Sequence, residues 1–296
     1  MSAAPPLLFD RALHRRRLER AAAGFSGAGF LKARAAEDAV LRLETIMRSF
    51  AVAVDLGARD GAFARALAAS PALQKIGLLI ETDLSAAMLA GRGGVRVQVD
   101  EERSPFREES LDLVVSGLAL HWTNDLPGAL IQIRQALRPD GLFLGAILGG
   151  SSLTELRQSL TEAEIELTGG AGPRVSPLAD VQDAAHLLQR AGFALPVADI
   201  DRVEVAYAHP LELIRDLRAM GEANALADRP RPLSRQALAR AFEIYQQRFS
   251  RPDGRVRATF EIIAMTGWAP HPDQQQPLRP GMARTRLADG FGVKGG

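Results

Sequence analysis

The sequence predicts an α/β fold built on a doubly wound, Rossmann-like sheet that is mostly parallel. Three observations carry this expectation. Short apolar runs of strand length alternate with segments of helical periodicity. The first run breaks into a turn punctuated by glycine. Three successive runs end at a carboxylate: Asp55, Asp83 and Asp100.

The first run and its turn are residues 52 to 61, VAVDLGARDG. Length and branching fit a buried parallel strand, and Gly57 and Gly61 let a ligand approach the backbone where the strand gives way to an Ala-rich helix at 62 to 69. Asp55 stands just before the turn. A carboxylate there repels a pyrophosphate and attracts the cationic end of an amino acid, so the turn suits S-adenosylmethionine better than a dinucleotide; no GxGxxG is present. The same pattern also opens structural units that bind nothing. The next run, residues 76 to 80, leads to Asp83, where a doubly wound sheet would let a carboxylate accept both hydroxyls of a ribose. Ser85 is placed to cap a helix carrying Met88 and Leu89. VRVQV at 95 to 99 ends at Asp100, an acceptor suited to an adenine amine, and LDLVVS at 111 to 116 opens into GLALHWTND. Singly, each acid reads as a cap or a solvated turn; together they read as the rim of one site.

Beyond the fourth strand, Leu126, Leu130, Ile133 and Leu137 share a helical face, and Arg138-Pro139-Asp140-Gly141 turns into the strand LFLGAIL. A helix over 151 to 167 ends at Gly169-Gly170. After the polar link GAGPRVSP come a helix around 179 to 191 and a strand near 196 to 205. Residues 210 to 249 read as helical, broken at DRPRP, with an apolar face at Leu211, Ile214 and Leu217; VRATFEIIAMTGW closes as a strand. The expected organisation is an N-terminal helical segment (1–44), a core (45–205 and 251–269), a helical cap inserted at 206–250 over the ligand crevice, and an irregular tail (270–296).

Composition narrows the classes. A chain of 296 residues buries a large core, and a net charge of +1 gives no global footprint for nucleic acid. Arg11, Arg15, Arg16, Arg17 and Arg20 form the one basic concentration, read as the exposed face of an N-terminal helix in preference to a site for an anionic partner. The absence of cysteine removes disulfides, thiolate metal sites and cysteine nucleophiles. His14, His186, His209 and His271 lack metal-ligand spacing, so no metal site is expected. The 33 arginines against three lysines reflect coding bias. No run approaches the roughly twenty apolar residues of a membrane span, and the start lacks a secretory core; a cytoplasmic location is expected.

These residues resemble class I S-adenosylmethionine-dependent methyltransferases. The stretches LFDRALHRRRLERAA (8–22), VDLGARDG, DLSAAML, SPFREESLDLVVSGLALHWTNDLPGAL (104–130) and LRPDGLFLGAILGG (137–150) look like the branch holding the biotin-pathway malonyl-carrier O-methyltransferases and the mitochondrial complex I assembly factor described as an arginine hydroxylase. PLELIRDLRAMGEANAL (210–226) and GWAPHPDQQQPLRPGMA (267–283) look like the assembly-factor side. The resemblance implies one antiparallel strand in the sheet and S-adenosylmethionine as cofactor. It also implies roles: Asp55, Gly57 and Gly61 in the cofactor loop, Asp83 on the ribose, Asp100 on the adenine amine with the Glu101 N–H at a ring nitrogen, and Ser116 and Leu118 under the methionine portion. Arg59 departs from the family's usual glycine, and its side chain is expected at the cofactor carboxylate, in solvent or against Asp60.

His121 follows the fourth strand, where a methyl acceptor would lie, and is the candidate base or substrate-positioning residue; the alternative is a histidine bonded to a loop carbonyl with Trp122 packed under the cap. Three functions remain open: methyl transfer to a small acid or a protein side chain, hydroxylation of an arginine in a respiratory complex I subunit, and a noncatalytic assembly chaperone that keeps the pocket.

Overall fold

The structure is a computed structural model describing residues 7–274. In chain order its elements are α1 (Arg11–Ala21), α2 (Phe30–Thr45), β1 (Phe50–Leu56), α3 (Ala62–Ala68), β2 (Ile76–Asp83), α4 (Ala86–Leu89), β3 (Val95–Gln98) and β4 (Leu111–Gly117). Then follow α5 (Leu126–Ala136), β5 (Leu137–Leu148), α6 (Thr154–Thr168), α7 (Val181–Arg190), β6 (Ala194–Tyr207), α8 (Pro210–Ala219), α9 (Arg235–Phe249) and β7 (Val256–Trp268).

The strands form one sheet in the order β3-β2-β1-β4-β5-β7-β6. All neighbours are parallel except that β7 runs antiparallel to both β5 and β6. Strand order reverses between β1 and β4, and ligands of open α/β sheets bind at the carboxyl ends beside such a switch point. Val54, Leu113, Val114 and Leu144 are fully buried because helices cover both faces. Leu43, Phe63 and Leu67 of α2 and α3 pack on one face, and Leu130, Ile133 and Leu188 of α5 and α7 on the other. A third cluster, with Leu156, Leu213, Ile244, Tyr245 and Phe260, joins α6, α8 and α9 to the end of β7.

Several local expectations are corrected. Ser85 does not cap α4 with its hydroxyl; its N–H instead donates to Asp83 Oδ1 at 2.9 Å, and its Oγ is buried without a partner. β5 begins at Leu137 and absorbs the expected 138–141 turn, because Leu137 pairs with Leu111 before a register shift that leaves Asp140 at φ +65°. On α8, Leu217 and half-buried Ile214 of the expected face reach the core, and Leu213 takes the buried place expected of Leu211. Within residues 206–250, α8 packs against α1, β6 and α9, and α9 lies along α6. The expected irregular tail lies outside the described residues from 275 onward.

Candidate functional site

The turn after β1 is fixed to β2 by two hydrogen bonds, Gly57 N–H and Ala58 N–H donating to the Thr82 carbonyl at 2.9 and 2.7 Å. Gly57 has φ +78°, and a Cβ there would come within 2.3 Å of Ala119 Cβ, so only glycine fits. Gly61, at φ +80°, makes room for a side chain: Arg92 packs across it, pairs with Glu81 at 2.5 Å and donates to the Arg59 carbonyl at 2.8 Å.

Asp55 is completely buried, and among the described residues neither carboxylate oxygen has a partner. Burial, reinforced by Glu81 and Asp83 and opposed by Lys32, pushes its carboxyl up to about 6. Lys32, on α2, is itself buried and donates to the carbonyls of Gly57 at 2.7 Å and Gly117 at 2.6 Å. The site thus holds a buried carboxylate with no hydrogen-bond donor, an arrangement that favours an incoming cation.

Arg59 points neither to solvent nor to Asp60. Its side chain is buried, and Nη1 donates to Asp83 Oδ2 at 2.8 Å while its own backbone N–H reaches the same oxygen at 2.9 Å. With φ +51° the residue sits in a conformation suited to glycine, and the short reach across the turn brings its guanidinium to the end of β2. The carboxylate expected on a ribose therefore already holds a cation.

A second arginine holds the acids after β3. Arg11 of α1 bonds to Asp100 Oδ1 at 2.7 Å and to Glu101 Oε2, so it is not part of an exposed basic face; its side chain is 12% exposed. Asp100 is a rim residue facing Arg11, whereas the Glu101 side chain turns inward: its Oε1 lies 3.5 Å from the Cβ position at Gly57, buried and without a partner. Ser116 is tied to the Leu56 carbonyl at 2.9 Å, and Leu118, at φ +52°, lines a small cavity with Lys32, Arg59, Met220 and Glu222. Asp55 and Ser116 thus border one small cavity and Leu118 and Arg59 another, with Asp83 held by Arg59, Glu101 Oε1 facing the Gly57 turn, Asp100 paired with Arg11, and Arg92 packed across Gly61.

Beside these lies a mainly apolar cavity of about 230 Å³ under α6 and α8, with His121, Trp122, Leu156, Leu217 and Glu222 among its walls. Glu222 Oε2 accepts from Trp122 Nε1 at 2.7 Å and contacts His121 Nε2 at 3.1 Å, so the partner of His121 is a carboxylate and not a loop carbonyl. Trp122 is packed between Phe9 and His14, at ring-centre distances of 5.1 and 4.5 Å. His14 is buried with both ring nitrogens unpartnered, and burial beside Arg59 and Arg11 lowers its pKa well below the usual value.

Lys32, Glu222 and the inward role of Arg11 escape the sequence reading. Two left a signal: Lys32 is one of three lysines in a chain with 33 arginines, and Glu222 follows a glycine at the end of a helix. Among the described residues, no three His, Cys, Asp or Glu side chains are grouped to hold a metal ion, and no helix is long and apolar enough to cross a membrane.

Comparison with known proteins fits this geometry. A family model described as a methyltransferase domain matches residues 54–145, the span from β1 to β5. The arginine-hydroxylase NDUFAF5 of Danio rerio mitochondria is 39% identical over 95% of this chain and 89% of its own length, and that of Homo sapiens is 40% identical over 95% and 83%. A malonyl-[acyl-carrier protein] O-methyltransferase from Methylovorus sp. is 32% identical over 96% and 94%. Among solved structures, the YcgJ protein of Bacillus subtilis superposes with a TM-score of 0.53 at 15% identity, over 78% of this chain and 97% of its own, which speaks to the fold alone. The cytoplasmic location expected from the sequence is corrected by these findings, because the arginine-hydroxylase relatives are mitochondrial proteins. With a sheet of methyltransferase order and relatives that match it almost end to end, the chain belongs to the S-adenosylmethionine-dependent methyltransferase family, in the branch that includes the NDUFAF5 arginine hydroxylases and the malonyl-carrier O-methyltransferases.

Proposed function

We propose that this chain binds S-adenosylmethionine in the hollow at the ends of β1, β2 and β4 and transfers its methyl group to an acceptor seated in the adjoining cavity. The observation that carries the reading is Asp55, a buried carboxylate with two unpartnered oxygens beside a glycine turn: its electrostatic complement is the ammonium of an amino acid. Asp83 and Glu101 would hold the ribose and the adenine edge. The Gly57 turn, Ser116 and Leu118 would lie along the methionine portion, with Asp100 and the Glu101 N–H at the adenine and His121 facing the acceptor. The cofactor would supply an activated methyl group on a sulfonium, leaving the protein to orient the acceptor and exclude water. Arg59 must leave Asp83 for the ribose to be held, so binding exchanges one partner of Asp83 for another.

Calorimetric titration of the purified chain with S-adenosylmethionine tests this: saturable uptake is expected, weakened at least tenfold by Asp55→Asn. Absence of uptake by both proteins overturns the reading.

The identity to arginine hydroxylases over nearly the whole chain favours a second reading, hydroxylation of an arginine side chain on a protein acceptor, such as a complex I subunit. Mass spectrometry of an arginine-containing acceptor peptide separates the two, since one reaction adds a methylene and the other an oxygen atom.

A further inference from the structure

Glu222 stands on the wall between the two hollows, lining both the large cavity, with His121 and Trp122, and the small one, with Lys32, Arg59 and Leu118. Its placement is built into the backbone. α8 ends with Gly221 at φ +78° and with Glu222 N–H donating to the Leu217 carbonyl at 2.8 Å, the closing bond of a Schellman motif. Gly221 is required there twice, because a Cβ would also lie 2.8 Å from Leu18 Cδ2. The residue after such a glycine is thrown back toward the helix flank, which here delivers a carboxylate to His121.

The hydrogen-bond inventory then fixes the imidazole. An indole N–H only donates and a carboxylate only accepts, so Glu222 Oε2 receives one hydrogen from Trp122 and the other from His121 Nε2. In the neutral ring that leaves Nδ1 of His121 with a lone pair, buried and without a partner among the described residues.

We propose that Glu222 is a positioning residue that holds His121 in its Nε2–H tautomer, making Nδ1 the base that takes a proton from the methyl acceptor. This rests on the methyl-transfer reading and narrows the acceptor to a nucleophile that carries a proton, such as a hydroxyl, amine or guanidine, as opposed to a carboxylate, which needs no base. The acceptor's lone pair forms the bond to the methyl carbon while the carbon–sulfur bond breaks, its electron pair staying on sulfur. The acceptor's proton moves to Nδ1, and Glu222 stabilises the imidazolium that results.

The test uses the full chain labelled with nitrogen-15 histidine. Long-range proton–nitrogen correlation is expected to show His121 as the Nε2–H tautomer in the wild type and in Glu222→Gln, which keeps an acceptor oxygen, and as a mixture in Glu222→Leu. A His121 that is the Nδ1–H tautomer, or that is unaltered in Glu222→Leu, overturns the proposal. S-adenosylmethionine uptake by the wild type, measured alongside, tests the methyl-transfer reading by itself: its absence would sink that reading while the tautomer result still decides on Glu222. With N-acetylarginine amide and N-acetylserine amide as probe acceptors, transfer of labelled methyl should fall about a hundredfold in Glu222→Leu, recover partly in Glu222→Gln, and steepen toward alkaline pH. Equal transfer by wild type and Glu222→Leu overturns the proposal.

Discussion

Asp55 gives the most direct experiment at the scale of single residues. Its carboxyl is raised from 3.8 to about 6 in the folded chain. A raised acid favours the native state at low pH and loses that favour as pH climbs through its folded value, so the ligand-free chain should lose about 3 kcal/mol from this group between about pH 4 and pH 7. Urea unfolding across that range measures it. A bound ammonium reverses the sense: affinity for S-adenosylmethionine should rise about tenfold from pH 5 to pH 7.5, and Asp55→Asn should flatten the rise. Arg59→Gly makes the complementary case. It strips Asp83 of its buried partner, lowering the stability of the ligand-free chain by about 3 kcal/mol, while also freeing Asp83 and relieving a positive φ. The variant should melt lower alone, bind the cofactor at least tenfold more tightly and gain more on binding, as thermal shifts will show. Asp55 was legible in the sequence because a strand end dictates where its side chain stands. Arg59 was not, since a long side chain on a left-handed backbone has several reaches and only the packed turn selects one.

For whole elements, short apolar runs located the strands and helical periodicity most of the long helices, because burial on one or two faces imposes both, while α2 was legible only as part of an N-terminal helical segment. These local signals failed where tertiary pairing overrode local chemistry, as at the start of β5. α1 is the element whose role was hidden. Its arginines look like a solvated face, yet Arg11 ties the helix to Asp100 and Glu101, nearly ninety positions away. Arg11→Ala takes from buried Glu101 the cation it bonds to, leaving Arg59 as a weaker counter-charge, and should cost about 3 kcal/mol, with faster hydrogen exchange confined to α1. Leu213, wholly buried where α8 meets its cluster, should cost 2–5 kcal/mol when cut to alanine, read by chemical denaturation.

For the molecule as a whole, the succession of strands ending in acids was enough to anticipate a doubly wound sheet, and the observed order places β1 and β4 at its centre. Contacts between distant segments were beyond reach: His121 and Glu222 are 101 positions apart, and His14 meets Trp122 from the opposite end of the chain. These contacts make α1, α8 and the loop after β4 a single cover over the hollow. Saturating S-adenosylmethionine should therefore slow hydrogen exchange in α1 and α8 together, with a smaller change in α9, which touches α8 but rests mainly on α6. Protection of α9 alone would show that the cover is drawn wrongly.

The glycine-terminated end of α8 has one more consequence, for how the chain tolerates changes of length. Because Glu222 is reached by counting turns from Pro210, adding or deleting a single residue within α8 would rotate its carboxylate by about 100° and shift it by about 1.5 Å. Such an indel swings the acid off the imidazole while leaving the sheet untouched, so the spacing between Pro210 and Gly221 is a ruler for the site, and loops elsewhere on the surface are free to vary.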